Sequence, residues 1–109
     1  MGNCRSERKA AILTQVSKSK IAEADSLFRE LLKELRLAQN ITQVQLARRL
    51  RRPQSYVSKF ENGERRLDFV ETVFLCDALG VKLENVARTF SRRFNAVRRH
   101  EGDGLRGGK

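Results

Sequence analysis

The chain has 109 residues, of which 39% are hydrophobic, so it can form one small domain with a core but hardly two. Lysine and arginine total 23 against 13 acidic residues, and the resulting net charge of +10 favours a polyanion such as nucleic acid as the partner. The two cysteines and the single histidine lack metal-ligand spacing, so we expect neither a metal nor a cofactor. No apolar run approaches the roughly 18 residues of a membrane span and no secretory leader is recognisable, which predicts a reduced, cytoplasmic protein.

Residues 1–20 form a polar N-terminal extension that we expect to be partly disordered, with one small apolar group at Ile12, Leu13 and Val16. The extension begins with MGNCRS, which matches the N-myristoylation pattern and would make the protein a membrane-anchored adaptor. Because six residues match so loose a pattern easily, we interpret the match as coincidence and expect no membrane partner.

The first clear helical pattern runs from about residue 22 to 38. Phe28, Leu31, Leu32 and Leu35 recur at steps of three and four residues, with charged side chains between them. Asn40 is a suitable left-handed residue to end this helix.

Three signals predict a second helix beginning at Gln43. Thr42 is a good N-cap residue, and Gln45 lies where a capping box requires it. Ile41 and Leu46 occupy the two ends of a hydrophobic staple.

A third helix is predicted to begin near Pro53, because proline is tolerated at the first position of a helix and disrupts later positions. Val57 and Phe60 are expected to face the core. Asn62 and Gly63 provide the C-terminal stop.

Two more helices follow. Asp68 and Glu71 form a capping-box start for a fourth helix that ends at Gly80. The expected apolar stripe of that helix is Val70, Val73, Phe74 and Leu79, and Cys76, beside Leu75 and Leu79, is expected to be a small buried thiol. A fifth helix from about residue 83 carries a long apolar stripe of Val86, Phe90, Phe94 and Val97. Residues 99–109 are predicted to be a disordered, glycine-rich basic tail.

These patterns predict an all-α domain over residues 21–98, with five helices and flexible tails. Positive charge is concentrated within it, since residues 48–66 contain seven basic and two acidic side chains, a local net charge of +5. Two short amphipathic helices, the second with a polar leading end, are typical of a module that presents one helix to the major groove of DNA.

The segment from Leu31 to about Val86 resembles the lambda-repressor-like helix-turn-helix domain of Cro and xenobiotic-response-element regulators. The resemblance covers about half of the chain and is carried by four short motifs. In chain order these are TQ at 42–43, LA at 46–47, PQSYVSKFENG at 53–63 and RRLD at 65–68. It implies a five-helix DNA-binding bundle and, because no catalytic set accompanies these motifs, a protein that is not an enzyme.

The resemblance assigns roles to individual residues. Gln54 and Ser55 would contact base edges, and a glutamine amide can pair bidentately with adenine. The further assigned base contacts are Ser58 and Lys59. The assigned phosphate contacts are Gln43, which also braces Gln54, and Tyr56, Asn62, Arg65 and Arg66. For Tyr56, contact with a thymine methyl group and packing against the second helix stay open.

The same comparison pairs Arg36 with Glu61 as a structural salt bridge. Two turn residues depart from the family pattern, since Arg51 replaces a usual glycine and Arg52 a small apolar residue. A left-handed arginine would cost roughly 1 kcal/mol. Both arginines could face phosphates or simply be solvated.

The expected function is therefore sequence-specific binding of double-stranded DNA by a transcriptional regulator, a repressor acting as a homodimer on a palindromic operator. The stripe of Val86, Phe90, Phe94 and Val97 is the candidate dimer surface. The alternative is an antitoxin that binds a toxin protein and its own operator. Generic RNA binding is disfavoured because stacking aromatic side chains are lacking.

Overall fold

The computed structural model describes the backbone of residues 17–105 and the side chains of residues 17–99. Within this range the fold is all-α, as predicted, and consists of five helices. They are α1 (Lys18–Ala38), α2 (Gln43–Leu50), α3 (Gln54–Asn62), α4 (Phe69–Leu79) and α5 (Leu83–Leu105). In the described part of the chain, no helix combines the length and the apolar character that crossing a bilayer would require.

Side-chain caps mark the start of three helices, α1, α2 and α4. Each cap is a local sequence signal. The Ser17 hydroxyl accepts a hydrogen bond from the Lys20 amide at 3.3 Å at the start of α1. Thr42 and Gln45 form a complete capping box at α2, and Asp68 and Glu71 form another at α4. Both capping boxes are as the sequence predicts.

Left-handed residues end the first four helices or directly follow them. Asn40 and Arg51 adopt φ angles of 58° and 56°, and Gly63 and Gly80 adopt 83° and 71°. Gly63 also permits a close approach, because a Cβ atom there would lie 2.8 Å from the Arg29 guanidinium carbon. The positive φ at position 63 therefore favours glycine where the chain turns from α3 towards α4.

The core is formed by α2 and α3, which pack on each other, by α1, which packs on α3 and α5, and by α4, which packs on α2 and α5. Its largest fully buried side chains are Phe60, Leu32, Leu46, Leu75, Leu79, Val57 and Cys76. Burial raises the pKa of the Cys76 thiol.

The orientation of α4 differs from the prediction. Val70, Val73 and Phe74 were expected in the apolar stripe, but all three are exposed, and the buried residues are Thr72, Leu75, Cys76 and Leu79. Eight of the eleven residues of α4 are apolar, so its periodicity does not single out one face. The face that is buried is set by packing against α2 and α5 instead.

The ends of the domain also differ from the prediction. Helix α1 begins at Lys18 rather than near residue 22, and α5 continues to Leu105, so residues 99–105 are helical. The glycines in this segment have low helix propensity, but extending an existing helix avoids the free-energy cost of nucleating a new one. The MGNCRS motif and the apolar group at 12–16 lie outside the described residues, as do residues 106–109.

Candidate nucleic-acid interface

The leading end of α3 is exposed. Pro53 precedes the helix in an extended conformation, with φ −63° and ψ 155°, and no side chain caps the first turn. Gln54 and Ser55 are both exposed there, and Lys59 is exposed one turn later, beside the half-buried Ser58. The four predicted base contacts therefore all belong to α3 and none of them is buried in the core.

Gln54 is linked to the body of the protein through Gln43. The Gln54 amide nitrogen donates to the Gln43 side-chain oxygen at 3.4 Å. The Gln43 amide nitrogen in turn donates to Glu61 Oε1 at 2.9 Å. Gln43, the first residue of α2, thus joins the two ends of α3, and the contact with Gln54 is the brace that the sequence resemblance assigns to it.

Glu61 is held by Arg36 of α1. Arg36 Nε lies 2.7 Å from Glu61 Oε2 and Arg36 Nη2 lies 2.9 Å from Glu61 Oε1, which is a bidentate ion pair. A third donor, Arg36 Nη1, bonds the Ile41 carbonyl at 2.8 Å. The two charged side chains are only 7% and 2% exposed. The pair therefore fixes α3 to α1 and to the start of α2 in a site shielded from water.

The turn between α2 and α3 has the left-handed geometry usually given to glycine. Arg51 adopts φ 56° and ψ 45°, and its amide donates to the Arg48 carbonyl at 3.1 Å. The Arg52 amide donates to the Ala47 carbonyl at 3.0 Å. The turn thus forms with arginine in the strained position, and both side chains are exposed.

Tyr56 is half-buried between two guanidinium groups. The guanidinium carbons of Arg52 and Arg65 lie 5.4 Å and 4.9 Å from its ring centre, and its hydroxyl donates to Glu71 Oε2 at 3.1 Å. Burial, followed by the bond to Glu71, raises the pKa of the Tyr56 hydroxyl. Its ring also packs edge-on against Phe60. The structure thus places the Tyr56 ring on Phe60 of its own helix and the Tyr56 hydroxyl on Glu71 of α4.

The two arginines after α3 both contact carboxylates. Arg65 pairs with Glu71, and Arg66 Nε lies 2.9 Å from Asp25 Oδ2. Both guanidinium groups are exposed, and exposed ion pairs of this kind contribute little stability. Asn62 is exposed beside them.

Residues 27–89 match the family described as a helix-turn-helix domain. A solved structure of an XRE-family like protein from Pseudomonas syringae pv. tomato str. DC3000 is 39% identical, with a TM-score of 0.67 over 70% of this chain and 93% of that chain. The chain belongs to the XRE family of helix-turn-helix proteins. This is a family of DNA-binding transcription regulators.

A second solved structure shares the fold at lower identity. It is the clp gene regulator ClgR from Corynebacterium glutamicum, which is 22% identical, with a TM-score of 0.62 over 76% of this chain and 87% of that chain. No curated protein matches the chain significantly.

Four arginines of this XRE-family protein form a basic cluster directly before α3 in the chain. Arg48, Arg49, Arg51 and Arg52 are all exposed at the end of α2 and in the turn. Arg49 also donates to the Ala78 carbonyl at 2.9 Å, so one of these side chains is tied to α4. The positive charge found in the sequence is thus displayed next to the side chains assigned to DNA.

Sequence reasoning missed the acidic partners of the helix-turn-helix unit. Glu71 was recognised only as a capping residue, yet it accepts hydrogen bonds from Tyr56 and Arg65 as well as from the Asp68 amide. The Asp68 amide is the main cause of the lowered pKa of Glu71. No local sequence pattern predicts the contact of Asp25 of α1 with Arg66, because the two residues are 41 positions apart.

The predicted dimer stripe on α5 is largely engaged within the monomer. Val86 is buried in the core, so it is not available to a second copy. Phe90 packs edge-on against Phe28 of α1, with ring centres 5.9 Å apart, and Phe94 stacks on Phe90 at 5.6 Å. Val97 is half-buried one turn further on. Burial of Val86 and the contact of Phe90 with Phe28 therefore account for part of the stripe within the monomer.

Proposed function

We propose that this protein is a sequence-specific repressor that binds a palindromic operator in double-stranded DNA as a homodimer. The observation that carries the proposal is the exposed leading end of α3. There Gln54 and Ser55 are presented together, and Gln54 is held through Gln43 to the buried pair of Arg36 and Glu61. Such an arrangement suits binding rather than catalysis.

Specificity in this proposal comes from α3. The Gln54 amide can donate and accept at the major-groove edge of adenine, and one good bidentate contact discriminates by about 1–3 kcal/mol. Ser55, Ser58 and Lys59 extend the contact along the groove. Because its supporting side chains are already in place, Gln54 would lose little conformational freedom on binding.

Affinity in this proposal comes from phosphate contacts. The assigned groups are Gln43, Asn62, Arg65 and Arg66, and these set the position of α3 without reading the sequence. Tyr56 would add a contact only if its hydroxyl turned from Glu71 to a phosphate oxygen. Arg51 and Arg52 are exposed where they could reach the backbone of the same duplex.

Repression follows if the bound protein occludes a promoter, and we place that event in the cytoplasm. One helix-turn-helix unit reads too few base pairs for useful specificity. We therefore propose that two copies bind adjacent half-sites about 34 Å apart, one turn of DNA.

Selection of bound sequences from a random duplex library tests the proposal. We expect an enriched motif made of two inverted half-sites with centres about 10 base pairs apart. A library that shows no enrichment after repeated rounds, although the protein binds duplex DNA, would refute sequence-specific recognition. Enrichment of a single half-site would refute the homodimer only.

A further inference from the structure

Helix α4 exposes four large apolar side chains on one face. Phe69 is 71% exposed, Val70 60%, Val73 38% and Phe74 63%. At about 100° per residue these four positions span an arc of about 140°, so they form one continuous surface over two turns. Exposed apolar patches of this kind mark interaction sites. We call this surface the α4 face.

The α4 face is symmetric about its own centre. In chain order its apolar residues read Phe-Val, two intervening residues, then Val-Phe. Around the helix, Phe69 and Phe74 lie at the two outer edges, and Val70 and Val73 lie between them. A half-turn about the centre of the face exchanges Phe69 with Phe74 and Val70 with Val73. If two such faces meet with their helices antiparallel, each Phe69 lies at the level of Phe74 of the other copy and each Val70 at the level of Val73, which are the reciprocal contacts of an isologous interface.

We propose that the α4 face binds the α4 face of a second copy of this chain, with the two helices antiparallel. This proposal rests on the proposed function, since it names the surface that joins the homodimer. Phe69 would pack on Phe74 of the second copy, and Val70 on Val73 of the second copy. The two-fold axis would pass between the valines, whose short side chains allow the helices to approach closely.

Charge also favours a second copy over DNA at this surface. Helix α4 contains no lysine or arginine and carries the acidic residues Glu71 and Asp77, so it adds no positive charge of its own to a contact between two chains of charge +10. In the described part of the chain, Asp77 has no ion-pair partner. The antiparallel arrangement would bring Asp77 close to the segment before α4 of the second copy, which contains Arg65 and Arg66.

The size of the α4 face suits the centre of a small interface. A phenylalanine buries about 150–250 Å² of surface, so Phe69 and Phe74 alone would remove roughly 250 Å² per copy from water. A standard interface buries about 800 Å² per partner. The four residues would therefore form the apolar centre, and the segments flanking α4 would supply the polar rim.

Sedimentation equilibrium of the full chain tests the pairing. Val73→Glu would place a carboxylate beside the axis, and we expect it to raise the dimer dissociation constant at least about tenfold. Val44→Glu is the matched control, because Val44 is 43% exposed on α2 and the substitution is the same. Circular dichroism of both variants checks that α-helical structure is retained. Dissociation caused equally by both variants would overturn the proposal.

A charge-pair rescue tests the antiparallel register. Phe69→Lys and Phe74→Glu should each weaken association, because a charge would face a phenylalanine. The double variant Phe69→Lys/Phe74→Glu should associate more tightly than either single variant and should weaken with added salt, because each lysine would face a glutamate of the second copy. No recovery in the double variant would overturn the register.

Two outcomes would overturn the interface itself. One is a wild-type chain that stays monomeric at all concentrations both free and on the selected duplex. The other is a dimer that dissociates on Val97→Glu in α5 and not on Val73→Glu. Neither outcome would contradict base recognition, which the substitution Gln54→Ala tests separately. Conversely, a dimer that depends on the α4 face but selects no sequence would support this interface and refute the proposed function.

Discussion

A series of hydrogen bonds links the exposed Gln54 side chain to a buried ion pair. The Gln54 amide bonds Gln43, which bonds Glu61, which Arg36 holds in a bidentate pair. These hydrogen bonds link an exposed amide to a buried ion pair, and the contact of Gln54 with Gln43, at 3.4 Å, is the longest of them. Pre-organised polar groups lose less entropy on binding than mobile ones.

Arg66 should act on affinity and not on specificity. We expect Arg66→Ala to weaken binding to all duplexes alike and to reduce the slope of log K against log salt by about 0.9, because one phosphate contact is lost. Arg93→Ala is the control, since Arg93 pairs with Glu34 in a similarly exposed site on α5. Anisotropy titrations over a salt series measure both slopes. An unchanged slope for Arg66→Ala would show that Arg66 stays with Asp25.

Glycine at position 51 should raise the free energy of unfolding. Arg51 adopts φ 56°, which strains a side chain but not glycine, so we expect Arg51→Gly to stabilise the fold by up to about 1 kcal/mol. Arg52→Gly is the control, because position 52 has no positive φ and glycine there only adds unfolded-state entropy. Urea denaturation gives both free energies of unfolding. A loss of stability in Arg51→Gly would mean that the arginine side chain contributes more than the strain costs.

The candidate site was predictable from the sequence where the residues lie within one ordered motif. Gln43, Gln54 and Glu61 belong to a segment of about 20 residues whose spacing determines their approach. The contacts of Tyr56, Arg65 and Arg66 were not predictable, because Glu71 and Asp25 reach them only through the packing of α4 and α1. Local patterns carry no information about such distant partners.

At the level of elements, the caps and turns specified where helices begin and end, but not which face they bury. The capping boxes of α2 and α4 and the left-handed residues Asn40, Gly63 and Gly80 follow from local backbone chemistry. The buried face of α4 does not, because apolar residues surround that helix. The four exposed residues that result form the α4 face.

The attachment of α3 to α1 should depend strongly on one ion pair. We expect Arg36→Ala to destabilise the fold by about 3–5 kcal/mol, because it leaves the Glu61 carboxylate buried and without its guanidinium partner. Arg93→Ala removes an exposed pair and should change the free energy of unfolding far less than Arg36→Ala. Urea denaturation monitored by circular dichroism compares the two. Equal costs would mean that water reaches Glu61 in the folded protein.

At the scale of the whole molecule, charge and shape divide the surface into two parts. The cations of the α2–α3 turn lie beside the leading end of α3, whereas α4 has no cation and exposes apolar side chains. The first part suits a polyanion, and the second suits a protein surface. One small bundle can therefore hold DNA with one set of residues and a second copy with another.

Base discrimination by Gln54 is the most direct measurement of the central claim. The selected operator and its single base-pair variants are titrated with wild type, Gln54→Ala and the control Gln39→Ala, which removes an exposed glutamine at the end of α1. We predict that Gln54→Ala loses about 1–3 kcal/mol of discrimination at one or two base pairs of each half-site and that Gln39→Ala loses none. Unchanged discrimination at every base pair in Gln54→Ala would contradict the account.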